Sequence, residues 1–251
     1  MKISIVIPVK NQSEKVYRNI KETVIPFFDA RSFTYDIIIC SDGSSLEERQ
    51  KLEELCKDLP LQVKLLPQED IKGKGHGVKK GVLAADGDYI ITMDADLATD
   101  LECFDKISPL FGKYDAFIPN RDHKESVTEK RTFLRKIGHI VSRDLIRMRF
   151  HLRGIHDTQC GFKCYRNKVA KLMMKHQLTN GFACDVENCY FLVQNGFTYL
   201  EFPVKWKNDE ADSSIDFWKV SKSFYKDLHY FKKNKKSYLL TEQEKEELNH
   251  D

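Results

Sequence analysis

Residues 73–96 read GKGHGVKKGVLAADGDYIITMDAD. A glycine-rich loop opens into a helix over Gly73–Ala85, and Asp88–Met93 (DYIITM) follows as an apolar strand that stops at Asp94. Upstream the same alternation repeats. Ile3–Val9 and Asp36–Cys40 (DIIIC) are runs of β-branched residues, Gln62–Leu66 makes a third strand, and helices over Ser13–Phe28 and Leu46–Lys57 separate them. Val16, Ile20 and Val24 form one stripe on the first helix. Continuous apolar strands of this kind suit a sheet covered on both faces. Strands alternating with helices predict right-handed crossovers, hence an α/β fold with a Rossmann-like, mainly parallel sheet flanked by helices. Ligands of such sheets sit at the carboxyl ends of the strands. There the chain places Asn11, Ser41-Asp42, and Asp94 with Asp96.

The second half is less regular. Asp115–Pro119 reads as a strand, Arg131–Phe150 as a basic amphipathic helix, Cys160–Tyr165 as a strand, Asp185–Asn195 as a helix and Phe197–Trp206 as a strand. Phe217–Lys236 interleaves aromatic rings with lysines, which fits either a helix lying in a membrane interface or an amphipathic helix packed on the core with a solvated lysine face. Thr241–Asp251 is acidic and has little to bury, so a frayed helix or tail is expected there, with 237–251 a tail behind a single domain of residues 1–236.

Composition narrows the function classes. With 41% hydrophobic and 31% charged residues, the chain of 251 residues is an ordinary globular sequence. A net charge of +3 does not mark a nucleic-acid binder. Seven cysteines, an odd and scattered number, suit a reducing compartment better than a disulfide framework. Cys160 and Cys164 read as small buried residues, and His123, His139, His156 and His176 form no ligand cluster. The N-terminal apolar run is interrupted by Pro8 and falls far short of the ~20 residues that span a bilayer. The expectation is a cytoplasmic protein, at most peripheral on the cytoplasmic face of a membrane.

The chemistry concentrates at strand ends. Asp94 and Asp96, one residue apart after a buried strand, suit a hard divalent cation that bridges diphosphate oxygens. Asp42 either accepts hydrogen bonds from a nucleobase or ribose, or caps the next helix, as Ser44 or Ser45 would. Gly73-Lys74-Gly75 brings amide donors and an ammonium to a helix start where a phosphate would dock, with a plain flexible turn as the lesser alternative. Neither G-x-x-x-x-G-K-[ST] nor a G-x-G-x-x-G after the first strand occurs, which argues against an ATPase or a dinucleotide enzyme.

Taken in order, IVIPVKN, CSDGSS, residues 73–100, GIHDTQCGFKCY and FACDVENCYF resemble family-2 inverting glycosyltransferases of the GT-A fold over about Lys2–Phe231. Within that family the chain is most similar to dolichyl-phosphate glucosyltransferases and, less closely, to dolichyl-phosphate mannose synthases. The resemblance implies a nucleotide-sugar-binding half (1–120), an acceptor-side half (121–236), a nucleotide-sugar donor and Mg²⁺ or Mn²⁺. Pro8, Val9, Asn11 and Asp42 would line the nucleoside pocket and Lys74 would lie near the nucleotide. Asp94 and Asp96 would hold the metal and diphosphate, while Arg121 and Arg135 match positions suited to an acceptor phosphate. Asp157 and Asp185 fall where the family has acceptor-side or sugar-side carboxylates. Asp157 is the first choice of general base should the acceptor be a saccharide hydroxyl, Asp185 the second, with an N-cap role for Asp185 standing beside it. A polyprenyl phosphate, already anionic, needs no such base.

The chain departs from the family at Gln12, at Ser41, and at Ala211-Asp212-Ser213, where the glucosyltransferases carry a lysine; the N-terminal anchor usual among those glucosyltransferases is not expected here. Ala98-Thr99 matches the pair found in the glucosyltransferases, where the mannose synthases have a glutamine in place of Ala98, so the resemblance implies UDP-glucose over GDP-mannose. A sugar-nucleotide pyrophosphorylase would need a glycine-rich, arginine-bearing loop after the first strand, which Pro8-Val9-Lys10-Asn11 is not. A non-catalytic sugar-nucleotide binder sits poorly with an intact Asp94/Asp96 pair.

Overall fold

The computed structural model describes residues 1–67, 72–129, 143–152, 154–207 and 217–249. Inside its main sheet β1 (Lys2–Val9) pairs in parallel with β2 (Thr34–Ser41) on one side and β4 (Tyr89–Thr92) on the other. With β3 (Val63–Leu66), β5 (Ala116–Asn120), β7 (Lys163–Arg166) and β8 (Tyr199–Pro203) the sheet order is β3-β2-β1-β4-β7-β5-β8. β6 (Val127–Thr128) and β9 (Lys205–Trp206) form a separate parallel pair. The chain thus builds outward from β1 to β3, returns, and lays β4 on β1's other side. That reversal of direction is the switch point at which ligands of open α/β sheets bind.

Side chains alternate across β1 and divide the core into two layers. Ile3, Ile5 and Ile7 face Val16, Ile20, Val24 and Phe28 of the long first helix, which runs as α1 (Ser13–Asn19), a π-helical stretch (Ile20–Val24) and α2 (Ile25–Asp29). Leu52 of α3 (Leu46–Cys56) and Phe104 of α5 (Cys103–Ile107) complete this layer. Val6 faces the opposite layer, where Val78 and Val82 of α4 (Lys74–Ala84) lie with residues of α7 (Asn167–His176) and α8 (Cys184–Gln194). Helix α4 sits hard against the sheet at Gly81, where a Cβ would come within 2.3 Å of Val6 Cγ1.

Strand β7 departs from the parallel scheme: it runs antiparallel to β4, pairing Thr92 with Lys163 and Tyr89 with Arg166. Its entry, Cys160–Lys163, is therefore carried to the carboxyl end of β4. Strands β5 and β8, parallel to each other, deliver Arg121 and Glu201 toward the same edge.

Some expectations need correction. The strand expected over Phe197–Trp206 breaks at Val204 into β8 and β9, because β9 leaves the main sheet to pair with β6. Helices α5 and α7 form over stretches where the sequence pattern leads to no expected element. Of the helix expected over 131–150, residues 143–150 are helical (α6), and 130–142 lie outside the described residues. Helix α9 (Phe217–Lys233) spends its apolar stripe on the core: Leu228 and Phe231 are buried, Phe224 packs beside them, and Phe231 stacks on Phe150 at 4.4 Å. Core packing thus accounts for its amphipathic pattern. Among the described residues no helix is long and apolar enough to cross a membrane.

The expected tail is part of the fold. Tyr238 is buried, its phenol donates to Glu187, and Leu240 N donates to Asn195 Oδ1 at 3.0 Å. Helix α10 (Glu242–Asn249) follows, with Leu248 against the core and Glu244 on His176 at 3.1 Å. What the composition hid is a buried acceptor: Glu187 also takes hydrogen bonds from Leu178 N, Thr179 N and Thr179 Oγ1. Burial nonetheless pushes the Glu187 carboxyl above the usual range, so the phenol matters to the stability of the segment. Tyr238→Phe should lower the unfolding free energy by about 1.5–3 kcal/mol, the worth of a hydrogen bond to a charged group. Urea denaturation would show this as a lower midpoint at constant slope; an unchanged midpoint would mean the segment is not docked.

Candidate active site

The loops after β1 and β2 are stitched together. Asn11 adopts a left-handed conformation (φ 50°), which asparagine tolerates better than most residues. Its N–H donates to Ser44 Oγ at 3.0 Å and its Oδ1 accepts from Ser45 N at 2.9 Å. Pro8, half-buried, and Val9, buried, lead into this loop. Ser45 takes the helix-capping role, accepting from Glu48 N at 3.3 Å. Asp42 instead reaches the start of α4. Its Oδ1 accepts from Lys72 N (2.8 Å) and Gly73 N (2.9 Å), and its Oδ2 lies 2.6 Å from His76 Nδ1.

At the end of β4 the two aspartates have separate partners. Lys74 Nζ lies 2.8 Å from Asp94 Oδ1 and 3.6 Å from Asp185 Oδ2. The other Asp185 oxygen lies 2.6 Å from Lys163 Nζ, which also donates to Cys160 O at 2.6 Å. Lys163 is fully buried. The result is an alternating row of charges, Asp94, Lys74, Asp185, Lys163. Burial alone would raise the Asp94 carboxyl, but Lys74 holds it below the usual range. Burial likewise pulls Lys74 down, and Asp94 with Asp185 more than compensate, so its ammonium is held above the usual range. Asp185 stands in the first turn of α8 behind the N-cap Ala183 and is therefore not itself the cap.

Asp96 Oδ1 accepts from Ala98 N at 3.0 Å across a turn whose Leu97 has φ 53°. A left-handed leucine is a costly conformation, held here by the surrounding structure. Gly161 lies directly under Asp94: a Cβ there would fall 2.0 Å from Asp94 Oδ2. A cavity of about 10 Å³, bounded by Asp94, Leu97, Ala98, Thr99 and Gly161, is left beside the carboxylate, room for about one water or ion.

Past the end of β5, Arg121 Nε and a terminal nitrogen grip Asp157 at 2.6 and 2.8 Å, and Arg121 N donates to the same carboxylate at 3.1 Å. Arg121 also lies 5.5 Å above the Trp206 ring. Its guanidinium loses to burial but gains more from Asp157, which keeps it firmly charged. Glu201 ties this corner together through Asn120 (3.2 Å), His156 Nδ1 (2.6 Å) and Asp157 N (3.4 Å). Asp157 is only 1% exposed, with both oxygens engaged. Both oxygens of the carboxylate read as first-choice base for a hydroxyl acceptor are thus occupied by Arg121 in this structure. Arg135 lies outside the described residues.

Sequence reasoning missed Lys163, Glu187 and Glu201. The first stands within the motif GFK, but only the antiparallel course of β7 turns it toward Asp185.

Residues 4–173 match the family model described as glycosyl transferase family 2. A dolichyl-phosphate beta-glucosyltransferase of Trichomonas vaginalis is 30% identical over 221 residues, covering 84% of this chain and 67% of that protein. The dolichyl-phosphate beta-glucosyltransferase of Dictyostelium discoideum is 28% identical, covering 90% and 72%. Among solved structures, glucosyl-3-phosphoglycerate synthase of Mycobacterium tuberculosis, in complex with Mn²⁺, UDP and glucosyl-3-phosphoglycerate, superposes with a TM-score of 0.65 at 14% identity, over 90% of this chain and 78% of that one. A mannosyltransferase of Pyrobaculum calidifontis, in complex with GDP-Man and Mn²⁺, gives 0.57 at 12% identity, over 90% and 64%. At such identities the likeness is one of fold, and the fold is GT-A. With the family model spanning more than half of the residues and its strand-end motifs gathered at one edge of the sheet, the chain belongs to glycosyl transferase family 2 and is a glycosyltransferase.

Proposed function

We propose that the protein transfers glucose from UDP-glucose to a polyprenyl phosphate of the dolichyl type, with inversion at the anomeric carbon. The observation that carries this reading is the state of the acceptor-side carboxylates. Asp157 is locked on Arg121 and Asp185 lies between Lys74 and Lys163. Neither is poised as a general base, which a sugar hydroxyl would require. An acceptor phosphate brings its own negative charge, and a firmly charged Arg121 is suited to orient it. The names of the relatives, dolichyl-phosphate beta-glucosyltransferases, support the same choice.

The donor would lie along the ends of β1, β2 and β4. Pro8, Val9, Asn11 and Asp42 would border the nucleoside. A carboxylate offers about four lone-pair positions, so Asp42 retains capacity beside its three protein donors. Lys74 would face the diphosphate. Asp94 and Asp96 suit Mg²⁺ or Mn²⁺ as hard oxygen donors, and the bare Gly161 leaves Asp94 Oδ2 uncrowded. Among the described residues no third His, Cys, Asp or Glu joins them, so diphosphate oxygens and water would complete the coordination. The metal would neutralise charge gathering on the diphosphate as the glycosidic bond breaks. The residues themselves supply positioning and electrostatics. A lipid-borne acceptor would bring the protein to a membrane surface, and the exposed Lys222, Lys226, Lys232 and Lys233 of α9 suit anionic headgroups.

Incubation with UDP bearing radiolabelled glucose, alongside short polyprenyl phosphates or oligosaccharides, tests the reading. Label should enter the organic phase with Mg²⁺ or Mn²⁺ and fall to background in EDTA or in Asp96→Ala. Label confined to oligosaccharides would overturn the acceptor, and full activity in EDTA would overturn the metal. Gly161→Ala should fold normally yet bind UDP with Mn²⁺ at least about tenfold more weakly in a thermal-shift titration, because its methyl group displaces Asp94.

A further inference from the structure

The two lysines in the row of charges are held in different ways. Lys163 is completely buried and bound to a main-chain carbonyl as well as to Asp185. Lys74 keeps 19% of its side chain exposed, and its flexible four-carbon stem leaves from the first residue of α4. If Lys74 moved away, Asp185 would still have Lys163 at 2.6 Å. Asp94, whose ion pair in the structure is with Lys74 at 2.8 Å, would need another cation. Gly161 keeps a side chain from filling the space beside Asp94 Oδ2.

We propose that Lys74 is an exchangeable counter-ion that occupies the cation position on Asp94 until a nucleoside diphosphate draws it away. Resting on the donor reading above, this deepens it: nucleotide and divalent cation load together. Without nucleotide, a metal ion competes with a built-in ammonium for Asp94. When a diphosphate accepts the ammonium through charge-assisted hydrogen bonds, the carboxylate is released to the metal. Leaving Asp94 bare would be costly, so exchange of one cation for another is the low-energy course. By linkage, nucleotide and metal then raise each other's affinity by the same factor.

The test is Mn²⁺ affinity, measured on the full chain by the loss of the free-ion paramagnetic resonance signal, with and without UDP. Lys74→Met should bind Mn²⁺ alone about tenfold or more tightly than wild type, because an unpaired, partly buried carboxylate now has only the metal to take. It should also lose most of the enhancement that UDP gives the wild type. Lys79→Gln, which removes a positive charge from the same helix where Lys79 Nζ donates to Gln177 O, controls for the general field and should leave Mn²⁺ affinity unchanged. A Lys74→Met protein that binds Mn²⁺ alone no more tightly than wild type, or an equal gain in Lys79→Gln, overturns the exchange. Should Lys74→Met not fold, Lys74→Gln carries the same comparison; refolding of Lys74→Met that Mn²⁺ rescues supports the exchange, and refolding that Mn²⁺ does not help counts against it. Wild-type protein that takes up no Mn²⁺ even with UDP would defeat the donor reading itself. UDP-dependent uptake by wild type without a gain in Lys74→Met would defeat only the exchange.

Discussion

The contact between Lys74 and Asp94 ties the two halves of the site together. Lys74 opens α4, the helix that crosses from β3 back to β4, and Asp94 closes β4 itself. A charge pair joining the two ends of one βα crossover sets where the turn after β4 lies, and with it where Asp96 stands. Lys74 also reaches Asp185, so the same ammonium connects the parallel half of the sheet to α8. In a partly buried setting, each of these charges needs its neighbour, because a lone one would lower the stability of the fold.

Close approach is the second requirement, and glycine meets it twice. Gly81 lets α4 lie on Val6, and Gly161 lets the loop before β7 run beneath Asp94. At neither place is the reason an unusual backbone angle; a methyl group would collide with Val6 and Cys40 at the first and push the Asp94 carboxylate aside at the second. Strand β7 must then run against its neighbours, for only an antiparallel strand brings Gly161 and Lys163 to the carboxyl end of β4. The remote end of the chain contributes through Glu187. That buried carboxylate gathers Tyr238 and the 178–179 main chain. The following residue, Asn180, in turn accepts from His76 N at 3.2 Å in the first turn of α4. Residues more than 150 positions apart in sequence thus brace the same helix start.

Much of this was legible beforehand. The strands over residues 3–9, 36–40 and 88–93 showed themselves through uninterrupted β-branched runs, since a strand covered on both faces has no polar side to disguise it. Asp94 and Asp96 stood out because acidic residues end such a run abruptly. Helix α7 was legible in principle, through Val169, Leu172 and Met173 at helical spacing, and went unassigned; less legible was the segment around Tyr238, whose burial depends on a carboxylate far away in sequence. For α9 the pattern of rings and lysines suited two environments equally, and the choice fell to what lies beneath Leu228 and Phe231.

Local sequence alone determined the α/β alternation and the list of charged residues near the strand ends, because periodicity and turn chemistry act over a few residues; the order of the strands came from the tertiary structure. Tertiary structure decided which charge faces which. Asp157, read as a candidate base for a hydroxyl acceptor, is paired with Arg121 in the fold; Lys163 looked like an ordinary strand residue until β7 reversed and buried it against Asp185. Electrostatic roles depend on distances of a few ångströms between segments far apart along the chain, and no spacing within one segment encodes them.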